Sequence, residues 1–269
     1  MHIVTPATGT AAGTPAGALH IMNAVKSFGA NRAVDGVSFV AEAGKITGLI
    51  GPNGAGKTTL FNAIAGEGPI DSGSIELDAV HLEKLKPHRI FSTGLARTFQ
   101  IPRPFARMTV LENVMLVPEE QAGEKFWNSW VQPGLVARQE RANLDKARSI
   151  IEFCGLTPVE RQLAGSISGG QQKLVELARA LMADPKIILL DEPGAGVNPA
   201  LLDTIVDRIV ALNKQGITFL IIEHNMDLVM SLCDHIVVMA TGKVIAEGNA
   251  ASILADTRVV DAYLGGAHA

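Results

Sequence analysis

The chain has 269 residues, 47% of them hydrophobic, with 23 Lys and Arg against 27 Asp and Glu and a formal net charge of −4. That composition can bury a sizeable core and argues against a disordered chain, and the acidic balance argues against a protein built mainly to grip nucleic acid. The two cysteines, Cys154 and Cys233, lie far apart in sequence, which argues against a disulfide framework or a zinc site and fits a reducing compartment.

Residues 1–17 are rich in Thr, Ala, Gly and Pro and lack the basic start and apolar stretch of a secretory signal. They are expected to form a disordered tail. No apolar run in the chain approaches the ~20 residues of a membrane span. Residues 18–50 read as strands joined by turns at 28–31 and 42–45, and the run 45–50 is apolar enough for a buried strand. A helix is expected from 57 to about 66, with Leu60, Phe61 and Ile64 on one side. A hairpin arm at 71–80 and a short helix follow. From residue 101 the character changes: Phe126, Trp127 and Trp130 cluster here, and a helix is expected over about 138–153, where Leu144, Ala147 and Ile151 recur at helical spacing. This stretch reads as an inserted helical lobe. Leu174, Leu177, Ala178 and Leu181 give a stronger helical stripe, stopped by Pro185. Apolar strands at 187–190 and 217–222 flank a helix at about 200–213, and 236–239 with 243–246 read as a hairpin. Strands alternating with helices predict an α/β layer with a parallel sheet.

Three of these strands deliver polar residues just past their carboxyl ends, the edge where open α/β sheets bind ligands. After the first, Gly51, Pro52, Asn53, Gly54, Ala55, Gly56, Lys57 and Thr58 match G-x-x-x-x-G-K-[ST] in full. The glycines let the backbone wrap a phosphate with its N–H groups inward, and the following helix offers its positive end. Lys57 can reach the β- and γ-phosphates, and the Thr58 hydroxyl can bind Mg²⁺. After the second strand stand Asp191 and Glu192. Asp191 is the metal-side candidate, and Glu192 the candidate general base for an attacking water. After the third stand Glu223 and His224, of which His224 is a candidate for contact with the γ-phosphate or the attacking water. Ser168, Gly169, Gly170 and Gln171 open the Leu174 helix as a second anion site. It either binds another anion or closes over the nucleotide of a second subunit.

Taken in order, the loop at 51–58, Gln100 after Thr98 and Phe99, the run 168–171, Leu189 to Glu192, and His224 resemble the ABC-transporter ATPase family over nearly the whole of 19–264. The resemblance implies an α/β P-loop NTPase with a RecA-like parallel-sheet core, an antiparallel β subdomain and an inserted helical subdomain at about 101–172. These form a single domain over 18–264, and 265–269 is a flexible tail. It implies ATP and Mg²⁺ as cofactors, with Thr59 among the nucleotide-binding residues. It also implies that Ser168, Gly169, Gly170 and Gln171 act on the partner's γ-phosphate, that Gln100 touches Mg²⁺ and is catalytic with Lys57, Glu192 and His224, and that Phe28 stacks on adenine. Two departures stand out: Ile167 replaces the usual Leu before the Ser168 motif, and Asn198 replaces the usual Asp in the loop 194–198.

A narrower resemblance, to branched-chain amino-acid importer ATPases, rests on the runs 94–100, 108–113, 223–227 and 244–248 and the long 117–143 insert. It implies an ATP-hydrolysing importer subunit on the cytoplasmic face of the membrane. Its partners would be a second ATPase subunit, permease subunits and, indirectly, a solute-binding protein, with no nucleic acid. Rivals are a lipid or lipopolysaccharide exporter ATPase, a soluble ABC ATPase and a nucleotide-sensing module.

Overall fold

The computed structural model describes residues 16–98, 104–117 and 133–265. They divide into two compact units. One holds the described residues up to Arg97, Lys186–Ala195 and the chain from Ile209 onward; the other holds the described residues of Thr98–Pro185 together with Gly196–Arg208.

The first unit contains two sheets. The smaller is antiparallel, in the order β2 (Asn31–Ala41), β1 (Leu19–Phe28), β4 (Ser72–Leu77), β5 (Val80–His81). Leu19 pairs with Ala41 on one side and Leu77 on the other. At the start of β1 buried Leu19 and Ile21 alternate with exposed His20 and Met22, so one face turns to the core. The larger sheet has the order β10 (Lys243–Gly248), β9 (His235–Ala240), β3 (Ile46–Ile50), β8 (Thr218–Ile222), β7 (Ile187–Asp191), β6 (Leu95–Arg97). All its pairings are parallel except β9 with β10. Strands β3, β7 and β8 are buried at every position, the signature of a parallel sheet covered on both faces. One buried cluster joins side chains of both sheets to Leu60, Phe61 and Ile64 of α1 (Lys57–Ile64). α2 (Pro87–Ser92) adds Ile90 to it.

A second cluster gathers Ile50, Val229, Ile236, Val238, Ile253 and Val259. The last part of the chain, α7 (Met226–Leu232), α8 (Ala250–Ala255) and α9 (Thr257–Gly265), supplies its helical side. These three helices are short, and the sequence reading did not anticipate them.

The second unit is helical. α3 (Val110–Met115) starts in a capping box in which Thr109 Oγ1 accepts from Glu112 N and Glu112 Oε2 from Thr109 N. It packs with α4 (Pro133–Phe153) and α5 (Gly169–Met182). α4 begins five residues before the expected start, with Pro133 as its first residue, where the missing N–H would lack a helical partner anyway. Ala147, Ile150 and Ile151 are its buried stripe. The helix α6 (Pro199–Asn213) belongs to this unit as far as Arg208 and to the first unit from Ile209. Asn198 Oδ1 accepts from Leu201 N at 3.0 Å, so the Asn that departs from the family's Asp serves as the N-terminal cap of α6, a role the two residues fill about equally well.

Candidate functional site

The phosphate-binding candidate is built by backbone crowding. Gly51 sits at φ 148°, where a Cβ would lie 2.0 Å from Met239 O, and Gly56 at φ 97°, where a Cβ would lie 2.1 Å from Ala33 O. Only glycine takes both the dihedral and the space. The loop then turns into α1, whose N-cap, Gly56, has no side chain to satisfy the first-turn N–H groups. Those donors, with the positive end of the helix, are available to an anion. Lys57 is only 5% exposed, and its Nζ donates to the carbonyls of Gly51 (2.7 Å) and Pro52 (3.0 Å), so the ammonium lies across the loop. Burial holds its pKa below the usual lysine value, opposed by Glu192 and Asp191. Asn53, Gly54 and Thr58 are exposed, Pro52 and Thr59 half-buried, and Ala55 buried.

The strand order, which the sequence does not disclose, decides the rest. Leu49 of β3 and Asp191 of β7 flank the same residue of β8, Ile222. The ends of all three strands therefore emerge together, and Gly51, His224 and the Asp191–Glu192 pair share one sheet edge.

Asp191 is buried, and its Oδ2 accepts from Arg97 Nη2 at 3.2 Å. Burial raises its pKa, and Arg97 works against that rise. Arg97 also donates to Asn62 Oδ1 at 2.9 Å, pairs with Glu67 at 3.1 Å and lies 6.0 Å above the Phe61 ring. It ties α1 to β7. Glu192 adopts φ 49°, a left-handed conformation uncommon outside glycine and its close substitutes. Its N–H donates to Ile222 O at 2.9 Å, and its Oε1 lies 2.6 Å from His224 Nε2. An ionised carboxylate only accepts, so with Glu192 ionised the His224 proton is on Nε2. Sequence reasoning missed Arg97, a single basic residue on a three-residue strand, and set Glu223 beside His224 past the third strand without giving it a role.

The hydroxyl and carboxylate oxygens at this edge are of the kind that Mg²⁺ takes alongside phosphate. Among the described residues no group of three or more His, Cys, Asp or Glu could hold an ion. Mg²⁺ is ordinarily held by one or two protein oxygens with the substrate's phosphates and water, and the Thr58 hydroxyl and Asp191 supply that number.

Ser168, Gly169, Gly170 and Gln171 lie in the helical unit. Ser168 Oγ accepts from Gln171 N at 3.2 Å while Gln171 Oε1 accepts from Ser168 N at 3.0 Å, a capping box that fixes the entry to α5. Ser168 and Gly169 are exposed. At Gly170 a Cβ would lie 2.1 Å from Leu201 Cδ2. Phe28 ends β1 at 61% exposure with Lys26 Nζ 5.6 Å from its ring centroid, so it is not a core aromatic. Gln100 lies outside the described residues, as do Trp127 and Trp130.

Residues 34–195 match the family model described as ABC transporter, and residues 243–269 match that of the branched-chain amino acid ATP-binding cassette transporter. The probable branched-chain amino acid transport ATP-binding protein LivG of Archaeoglobus fulgidus is 43% identical, over 92% of this chain and 95% of its own. The high-affinity branched-chain amino acid transport ATP-binding protein BraF of Pseudomonas aeruginosa is 38% identical over 92% and 97%. Among solved structures, a nucleotide-free ATP-binding cassette from an ABC transporter has a TM-score of 0.80 at 40% identity, covering 92% of this chain and 98% of that one. An ABC-transporter cassette in its ADP conformation also gives 0.80, at 41% identity over 93% and 99%.

Proposed function

The chain belongs to the ABC transporter family of ATP-binding subunits, and from that premise we propose that it is the ATP-hydrolysing subunit of an importer for branched-chain amino acids or related polar solutes. It binds ATP and is an ATPase coupled to transport. The solute reading rests on the relatives named above and on the match at 243–269. Among the described residues no helix is long and apolar enough to cross a membrane. The subunit works at the membrane through permease subunits and pairs with a second ATPase subunit. There Ser168, Gly169, Gly170 and Gln171 meet the γ-phosphate bound by the partner, while Phe28 stacks on the adenine in its own subunit.

The observation that carries the chemistry is the shared edge of β3, β8 and β7, with His224 Nε2 2.6 Å from Glu192 Oε1. The backbone N–H groups of the loop and Lys57 hold the β- and γ-phosphates in place. Glu192 orients the attacking water and accepts its proton as the water oxygen bonds to the γ-phosphorus and the bond to the β–γ bridging oxygen breaks. His224 holds the Glu192 carboxylate in that direction. Mg²⁺, when bound, neutralises charge developing on the phosphate oxygens; Thr58, Asp191 and Gln100 would hold it.

The test is ATP turnover of the purified chain against Glu192→Gln, with gel filtration with and without ATP. Removal of the base lowers turnover by about 10²- to 10⁴-fold, while the variant still dimerises with ATP. Equal turnover in both proteins removes Glu192 from the role. For the solute, proteoliposomes with the permease subunits and binding protein take up leucine on ATP addition. Uptake of urea with none of leucine would move the assignment to another importer class.

A further inference from the structure

Glu223 is the first residue after β8 and only 4% exposed. Its Oε1 accepts from Gly194 N at 2.7 Å, and its Oε2 accepts from His224 N at 3.1 Å and Asn225 N at 3.4 Å. Gly194 is two residues beyond Glu192 on the turn that leaves β7, and His224 is on the turn that leaves β8. One buried carboxylate thus joins the two turns whose side chains meet at 2.6 Å. The backbone bond from Glu192 N to Ile222 O ends just before that point. Past it, the Glu223 carboxylate and the Glu192–His224 contact both join the two turns.

We infer that Glu223 is a positioning residue for hydrolysis: it fixes the turn bearing Glu192 against the turn bearing His224, and so sets the direction of the Glu192 carboxylate. The inference rests on the ATPase roles proposed above for those two residues. The chemistry requires a carboxylate. Three N–H donors converge on two acceptor oxygens, and a carboxylate has acceptors only. A glutamine of the same size has one acceptor, and its amide N–H would face a backbone N–H. It must release one of the two turns. Small misplacements of a catalytic group are amplified into large rate losses.

The test compares Glu223→Gln and Glu223→Asp with the full-length chain. Glu223→Gln lowers kcat by about 10- to 100-fold and leaves KM for ATP within about twofold, because Glu223 makes none of the contacts of the phosphate loop. Glu223→Asp, which keeps two acceptor oxygens, retains more turnover than the better-fitting Gln. A space-filling role gives the reverse order and overturns the inference. In a cycle with His224→Ala, the Glu223→Gln and His224→Ala losses do not multiply; losses that multiply fully also overturn it. Hydrogen exchange on the nucleotide-free chain separates this inference from the function it rests on. The Gly194 and His224 amides are protected in the wild type, and that of Gly194 or of His224 exchanges faster in Glu223→Gln. If neither amide is protected in the wild type, the positioning role fails even when turnover is normal. If the protection follows Glu223 but the wild type never hydrolyses ATP, the clamp stands and the proposed function fails. Should Glu223→Gln not fold, the Asp variant carries the exchange measurement: it keeps at least one of the two amides at wild-type protection, and loss of both overturns the role.

Discussion

At the carboxyl edge of the six-stranded sheet, Glu192 meets His224 across two neighbouring strands, whereas Ser168 and Gln171 satisfy each other within a few residues of chain. The first arrangement depends on strand order, on a left-handed Glu192 and on the Glu223 carboxylate. The second needs only a helix start. Damage at the edge should therefore cost activity out of proportion to stability, and damage at the Ser168 turn should register first as loss of a cap.

After Glu192→Gln, the largest break expected is Lys57→Ala. It removes the buried ammonium that spans the loop, and turnover falls by about 10²- to 10³-fold, measured at saturating ATP. Next comes Gly56→Ala, which places a methyl group against Ala33 O and forces an alanine into positive φ. It destabilises by about 1–3 kcal/mol in denaturant unfolding, and nucleotide affinity falls with it. Ser168→Ala, by contrast, leaves one N–H of α5 without its acceptor and lowers stability by about 1 kcal/mol. A larger loss would mean that the Ser168 turn is tied into more than its own helix.

The last prediction concerns the thiols. Burial pushes the pKa of Cys154 and of Cys233 up to about 12 from the ordinary 9.0. Cys154, which is fully buried, does not react with a thiol reagent at pH 8 until the chain is unfolded, and half-buried Cys233 reacts more slowly than it does in the unfolded chain. Above pH 9 the unfolded thiols release protons that the native ones keep. Stability therefore falls as pH rises from 9 towards 12, and the fall is shallower in Cys233→Ala.

The same contrast explains how much was legible in the sequence. The loop at 51–58 and the cap at Ser168 are local devices, written in neighbouring residues, and both were read directly, as was the alternation of strands and helices. The parallel order β3, β8, β7 was not, because pairing partners lie far apart in the chain and buried apolar strands look alike. Without it, His224 had no stated partner. Glu223 stands at the same strand end in the sequence, but its role was not legible for the same reason: it depends on Gly194, which reaches it only through the fold. The short helices α7, α8 and α9 carry too few turns for a clear stripe. Their places in the second cluster come from Val229, Ile253 and Val259 packing together with Ile50.

The strand order also bears on the order of synthesis. β3, which leads into the phosphate loop, has β8 and β9 as its two neighbours, and Ile46 pairs with Phe219, about 170 residues later on the chain. At ordinary ribosomal rates that interval is on the order of ten seconds or more. For that interval the loop motif is already made while both strands that flank β3 are still to come. A nascent chain that stops short of β8 carries every residue of the phosphate loop and Ala33 beside Gly56, but lacks both strands that flank β3 and the Met239 carbonyl beside Gly51. An amino-terminal fragment ending before β8 is therefore expected to bind nucleotide more weakly than the whole chain.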